Sequence, residues 1–452
     1  MNVREIGRLL RNRKISCVEL IQETLADISK RDVFRSLITI TADQALGEAA
    51  ERDQELAQGI DRGPLHGIPT AHKDLFYTRG VLTTGGSLIF RNFVPEFNAT
   101  VVEKLKTAGA ISIGKANLHE LAYGITSKNP HYGFVLNPRD VTRIAGGSSG
   151  GSAALIAAGF IPVSLGTDTG GSIRIPASYC GIVGLKPTYG RVSVRGVLPL
   201  AFSLDHVGPL ASCIEDCALV MNAIAGDKDV DFNLAPLHDL RGVKVGVPKN
   251  FFFDGVSEEI ATAVKKSIAE LRREGAFVSE VQVPNLRDAN FAARIVQLAE
   301  TAALYAHHTD PALFGEDVWA LIQQGKTIAG HDYVNAQRLR TTFRREFDAL
   351  WKKIDVLIAP ATPIAAPHLD ETRVRIGNEE EDVRMASTRL VRAMNYTGEP
   401  ALSMPCGQTS AGLPIGLQLI SRPFSEPRLL QIAKTLEAVV SWTHSRAAGP
   451  NL

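Results

Sequence analysis

The chain has little of what marks secreted, membrane-spanning or nucleic-acid-binding proteins. It holds five cysteines in 452 residues: Cys17, Cys180, Cys213, Cys217 and Cys406. Their odd number and wide scatter do not make a disulfide framework. Cys213 and Cys217 stand one helical turn apart, but no Cys or His pair follows at zinc spacing, so no metal is expected. Reduced cysteines in a packed interior imply a reducing compartment. No run of about 18 apolar residues occurs. The most apolar region, Ala153 to Leu165, is broken by Gly159 and Pro162. Arg4 and Glu5 interrupt the N-terminus at once, which excludes a secretory signal. An excess of charge is also missing: 49 Lys and Arg against 48 Asp and Glu give a net charge of +1. A broad basic face for nucleic acid is therefore not indicated. The expectation is a soluble, cytoplasmic protein with no cofactor, and with neither nucleic acid nor membrane as a direct partner.

What is there is ordinary globular composition, 45% hydrophobic and 21% charged, in a chain long enough to bury a large core. Ser16 and Glu19 form a capping box that predicts a helix from there to about Lys30. From Gly63 onward, short apolar runs alternate with Gly, Pro and Asn turns. Val101 to Ala108 reads as an amphipathic helix, followed by Gly109 and a strand from Ala110 to Ile113. The pattern recurs: Ser257 to Glu274 carries Ile260, Val264, Ile268 and Leu271 on one face, Gly275 stops it, and Ala276 to Val283 reads as a strand. Val243 to Val247 and Val356 to Ala359 look like buried strands. Alternating strands and helices predict an α/β fold with a largely parallel sheet. Asp227 to Leu240 reads as a surface connection and the acidic run Glu379 to Asp382 as a solvated loop. The stretch from Leu286 to Met385 reads as a mostly helical insertion covering one face, over a pocket.

Two glycine-serine clusters occupy the centre, Gly146 to Ser152 and Gly166 to Ser172. Glycine permits close backbone approach, and a catalytic serine needs free N–H groups near the oxygen of a tetrahedral intermediate. Neither cluster carries the Gly-Lys-Ser/Thr of a phosphate loop or a dinucleotide fingerprint. Residues 147–151 do satisfy G-x-S-x-G, the nucleophile elbow, with Ser149 as nucleophile. That motif should follow a buried strand, which Asn137 to Ala145 makes poorly, and it needs a late histidine, whereas His444 lies in a polar tail. A serine also needs a base. Upstream, Lys73 in a dry site would have a lowered pKa. His72, oriented by Asp74, is the competing base.

Taken together these segments resemble the amidase signature family. The resemblance runs through Gly67-Ile68-Pro69, Lys73-Asp74, Thr84, Gly86, Ser87 and Lys115-Ala116-Asn117. It continues through Asn137-Pro138, both glycine-serine clusters, Ile173 to Ala177, Cys180-Gly181, Gly184 to Thr188 and the late Pro405-Cys406-Gly407. It is strongest over residues 63–226. It implies the amidase signature fold, a central mixed, mostly parallel β-sheet with helices on both faces. The implied organisation is a single domain over residues 1–452, with a helical lead over about 1–62, a signature core over about 63–226 and a variable substrate-covering region over about 286–385. It implies that Ser172 attacks an amide carbonyl, that Ser148, on a cis peptide bond, relays the proton, and that neutral Lys73 is the base. Backbone N–H groups of Thr169, Gly170, Gly171 and Ser172 would form the oxyanion hole, and Asp168, Arg174 and Ser149 would support the loop. The expected partner is a small-molecule amide; a homodimer is a further expectation.

The central block, above all Gly181 to Ser193 and Ser203 to Leu210, is similar to the glutaminase subunit of glutamyl-tRNA amidotransferase, which releases ammonia from glutamine for partner subunits. The C-terminal third departs from it. The arginine that holds glutamine there falls within Phe314 to Ile322, where no Arg stands, and the aspartate falls near Thr388, upstream of Asn395, where no Asp stands. Arg389 and Arg392 are the nearby replacements. The departure points to an amidase with another substrate, the glutaminase subunit being the alternative. A catalytically inactive binding protein is a third class, against which the intact set of Lys73, Ser148 and Ser172 argues.

Overall fold

The computed structural model describes residues 1–227, 229–377 and 379–440. His444 lies outside the described residues. The helical lead forms as its capping signals predict: helix Cys17–Arg31 starts at Ser16, whose side chain accepts from Glu19 N while Glu19 returns a bond to Ser16 N. The two amphipathic patterns become helices Thr100–Thr107 and Glu258–Arg273.

Eleven strands make one sheet. In chain order they are β1 (Leu37–Ile40), β2 (Pro69–Lys73), β3 (Ile111–Ala116), β4 (Val163–Asp168), β5 (Val183–Lys186), β6 (His206–Ala211), β7 (Lys244–Pro248), β8 (Phe277–Val281), β9 (Val356–Pro360), β10 (Ala401–Gln408) and β11 (Pro414–Ser421). Their order across the sheet is β1-β3-β2-β4-β6-β5-β10-β11-β9-β7-β8. Helices pack against it, among them Glu258–Arg273, Ile214–Ile224 and Glu426–Val439.

The sheet is mixed, as expected, but not mostly parallel. Parallel pairing is confined to β2 with β3 and β4 and to β7 with β8 and β9. The other six pairings, including all those at the centre, are antiparallel. The helix–Gly–strand units that suggested a parallel sheet are crossover connections, and they lie on the two flanks. The centre is closed instead by the β10–β11 hairpin, which antiparallel pairing allows over a short turn. The acidic run is corrected too. Glu379–Asp382 pairs with Arg373–Ile376 in a two-stranded ribbon, where Arg375 opposes Glu380 and Arg373 opposes Asp382, so cross-strand charge pairing replaces a free loop.

The segment between the two glycine clusters explains its own composition. Helix Gly150–Ala157 is buried on every side, so it is apolar all round. A Cβ on Gly151 would lie 2.4 Å from the carbonyl oxygens of both Ser36 and Asn117; only glycine lets the helix start there. From it the chain returns into β4, parallel to β2, and the carboxyl ends of these two strands, Lys73 and Asp168, meet at one edge of the sheet. That edge, beyond the carboxyl ends of parallel strands, is where α/β folds place ligands.

Candidate active site

Lys73 ends β2 with no exposure to solvent. Its Nζ donates to Ser148 Oγ at 2.8 Å and to Thr167 Oγ1 at 2.8 Å. Both partners are neutral hydroxyls, and no carboxylate lies in ion-pair contact with it among the described residues. Burial therefore pushes the amine down to about 7, against the pull of the more distant Asp168 and Asp205 charges. The Gly147–Ser148 peptide bond is cis. Ser148 O accepts from His119 N at 3.2 Å.

Ser172 follows β4 and is tied to the first cluster by Ser149 N, which donates to Ser172 O at 3.2 Å. Its side chain lines a cavity of about 290 Å³. No hydrogen bond joins Ser172 Oγ to Ser148 Oγ, so the structure brings the two serine loops together, and among the described residues the Ser172 hydroxyl has no hydrogen-bond partner. The loop is held from below by Asp168, which accepts from Gly171 N at 2.7 Å and Ile173 N at 3.1 Å. Arg174 grips the same carboxylate through Nε at 3.0 Å and a terminal nitrogen at 2.9 Å, and Asn395 Nδ2 donates to it at 2.8 Å. Burial pushes the Asp168 carboxyl up, but Arg174 and Asn395 hold it below the usual carboxylate range. Asp168 and Arg174 thus form a buried ion pair that shapes the loop. Gly171 is needed in turn: its φ is +120°, and a Cβ would lie 2.4 Å from Val391 Cγ2.

Of the four expected oxyanion donors, Gly171 is already used by Asp168. Among the described residues no acceptor takes the N–H of Thr169, Gly170 or Ser172. The Thr169 side chain is fixed by donation to Asp205 Oδ1 at 2.6 Å. Ser149 faces away from the cavity: its Oγ donates to Thr167 O at 3.2 Å and accepts from Thr167 N at 3.3 Å. The strand before it, Asp140–Ile144, belongs to a separate two-stranded ribbon, so the elbow geometry is absent. His72, one residue before Lys73, points to the opposite face of the strand, where it packs edge-on to Phe76. Burial, with Lys115 adding, pushes its pKa down to about 3. Asp74 does not orient it but pairs with Lys115 at 3.3 Å.

Sequence reasoning named Arg392 as a candidate but missed Arg294, Gln297 and Arg384 on the other wall of the cavity. Arg294 and Gln297 reach it from helix Leu286–Leu304, Arg384 and Thr388 from helix Val383–Arg389, and Arg392 from just beyond. Of the two expected replacements only Arg392 arrives; Arg389 donates instead to Asp254 O and Gly255 O at 2.7 and 2.6 Å. The i, i+3 spacing of Arg294 and Gln297 is readable as one helix face, but not which way that face turns. Thr167 gives no such signal, because its role depends on strand register.

A buried lysine bonded to one serine, beside a second serine at a cavity wall, is equipment for nucleophilic catalysis on an α/β scaffold. The chain belongs to the amidase family: the family model described as Amidase matches residues 19–430, and the protein is an amidohydrolase of the amidase signature type. It is 39% identical to the A subunit of glutamyl-tRNA(Gln) amidotransferase from Chloroflexus aurantiacus, over 96% of this chain and 95% of that one. In structure it is similar to a bacterial aryl acylamidase of the amidase signature family, at a TM-score of 0.91 and 27% identity over 100% of this chain and 99% of that one. It is also similar to the A subunit of the amidotransferase from Thermotoga maritima, at a TM-score of 0.79 and 30% identity over 96% of each chain. Among the described residues no helix is long and apolar enough to cross a membrane, and no three or more His, Cys, Asp or Glu side chains are grouped so that they could hold a metal ion.

Proposed function

We propose that the protein hydrolyses the C–N bond of a small linear amide through an acyl-enzyme on Ser172. The observation that carries this is the bond from buried Lys73 to Ser148 with only hydroxyl partners around the amine. Ser172 Oγ attacks the carbonyl carbon; its proton passes to Ser148 Oγ, and the Ser148 proton to Lys73 Nζ. The N–H groups of Thr169, Gly170 and Ser172 receive the developing oxyanion. The proton returns to the leaving nitrogen, ammonia or an amine departs, and water clears the ester by the same relay in reverse. Catalytic hydrogen bonds often tighten only with substrate bound, which accommodates the open Ser148–Ser172 gap. Five cysteines without a disulfide among them fit a cytoplasmic setting.

Labelling with a fluorophosphonate probe followed by mass spectrometry tests the assignment. An adduct on Ser172, with ammonia release abolished in Ser172→Ala, is expected. An adduct on Ser149 would restore the elbow reading, and no adduct on any serine would favour an inactive binding protein.

A second reading, a glutamine-hydrolysing protein working with partner subunits, is favoured by the name of the 39%-identical relative. The absence of an Arg from Phe314 to Ile322 and of an Asp at Thr388 favours a different amide, whereas the sequence comparison backs glutamine: the 39% identity to the amidotransferase subunit exceeds the 27% to the aryl acylamidase. Release of ammonia from glutamine alone, dependent on a partner, would decide for the second reading.

A further inference from the structure

The wall of the cavity facing Ser172 has an unbalanced charge. Three guanidinium groups, those of Arg294, Arg384 and Arg392, line it against one carboxylate, Asp382. Arg392 is the telling one. It donates to Gln297 Oε1 at 3.3 Å and to Thr388 Oγ1 at 3.1 Å. Both partners are neutral, and among the described residues no carboxylate pairs with it. A half-buried cation with neutral partners and two like charges nearby is an arrangement that folding alone does not favour. Burial, with Arg294 and Arg384 adding, pushes even this guanidinium down to about 10.

Its position is equally specific. A Cβ placed on Gly170 would lie 3.9 Å from Arg392 Nε and Cγ, so the side chain stands directly against the loop two residues before the nucleophile. A second polar group shares the cavity: the buried hydroxyl of Tyr123, 5% exposed, makes no hydrogen bond of good geometry among the described residues. Arg392 has five N–H donors, and the two bonds above leave most of them for a ligand. Asp382 is already engaged, accepting from Arg384 N at 2.9 Å and Met385 N at 3.1 Å as the cap of its helix. Three guanidinium groups against this one carboxylate leave the wall net positive, which repels an ammonium group.

We infer that Arg392 receives a carboxylate, so that the substrate is a short amide bearing a carboxylate, and no ammonium group, at the end remote from the scissile bond. A planar guanidinium matches a carboxylate through paired charge-assisted bonds, and Arg392 stands against Gly170, two residues before the nucleophile, so a short chain spans the two groups. The inference rests on Ser172 as nucleophile and names the substrate class of that same site.

Three amides of one chain length test it: glutaramate, pentanamide, which lacks the carboxylate, and glutamine, which adds an ammonium group. Ammonia release should give kcat/KM for glutaramate on the order of 100-fold above pentanamide and roughly tenfold above glutamine. Arg392→Met should collapse the first ratio, mainly through KM, Arg392→Lys should restore part of it, and Arg294→Gln should reduce it less. Glutarate, which has no amide, should protect Ser172 from the fluorophosphonate in the wild type but not in Arg392→Met. Equal kcat/KM for glutaramate and pentanamide, or absence of glutarate protection while Ser172 still labels, overturns the carboxylate site. Glutamine outperforming glutaramate overturns the exclusion of ammonium. Failure of Ser172 to label at all removes the nucleophile assignment itself, a result distinct from the other two.

Discussion

Lys73 closes β2, and Lys115 stands beside its last residues on β3, where it is the cross-strand partner of His72. Both lysines are buried, yet they face opposite sides of the ribbon and keep different company. Lys115 touches Asp74 Oδ1 at 3.3 Å and donates to Phe76 O at 2.7 Å and Thr83 Oγ1 at 2.6 Å. Asp74 is further satisfied by Thr84 N at 2.8 Å and Thr84 Oγ1 at 2.5 Å. Burial pulls the Lys115 amine down and the touching Asp74 pulls it back. Lys73 has hydroxyls where Lys115 has a carboxylate. The difference teaches that burial alone does not make a base. A buried amine with an ionic partner is a cross-brace, whereas one with only neutral partners can give up its proton at ordinary pH.

The sharpest way to break this comparison is to remove each amine. Lys73→Met should lower kcat/KM by about 10⁴-fold, the scale of losing a general base or a triad member, with the circular dichroism spectrum unchanged. Lys115→Met should act on stability instead. It strands the buried Asp74 charge, at a cost of about 3–5 kcal/mol, measured by urea denaturation, and pairing it with Asp74→Asn should recover part of that loss. If Lys115→Met, kept below its unfolding temperature, lost activity as completely as Lys73→Met, the division of labour between the two faces would be wrong.

The pH dependence sharpens the same contrast. Lys73 must be neutral to accept a proton and its pKa stands at about 7, so kcat/KM should rise about tenfold per pH unit below 7 and level off above it. Stability follows the same sign. Between pH 7 and the ordinary lysine range the unfolded chain binds a proton at this position and the folded chain does not, so this group's contribution to stability rises with pH there. Lys73→Met should flatten that rise, seen as denaturation midpoints compared at pH 7 and pH 10.

Much of the site was legible in the sequence because its chemistry is local. The capping box at Ser16 and Glu19 and the glycine stops at Gly109 and Gly275 each act within a few residues, and the order of motifs from Gly67 to Thr188 carried the family. What was not legible depends on distant chain. Strand β10 pairs with β5, and β11 with β9, across long separations, and apolar runs do not show the direction in which they pair. The loss of Gly171 N–H to Asp168 is a matter of loop geometry. The arginine wall comes from helices more than a hundred residues beyond Ser172, and their polar faces look alike until one of them turns toward a cavity.

The smallest expected effect is also the most discriminating for the assignment of the base. His72 is the residue type most often used for this task, stands next to Lys73 and is buried, yet among the described residues its Nδ1 has no hydrogen-bond partner and burial pushes its pKa down to about 3. His72→Leu should change kcat/KM by less than about threefold, since the ring touches neither serine and replacing an unsatisfied buried group by an apolar one is close to neutral. Its trace should appear in stability instead. The folded pKa is below the unfolded one, so as pH falls from about 6.5 the unfolded chain takes up a proton that the folded chain refuses, and the wild type loses stability. The variant lacks this penalty and should gain on the wild type by about 1–2 kcal/mol between pH 8 and pH 5, read from paired urea titrations. A large fall in activity without that pH-dependent gain would return the histidine to the mechanism and remove Lys73 from it.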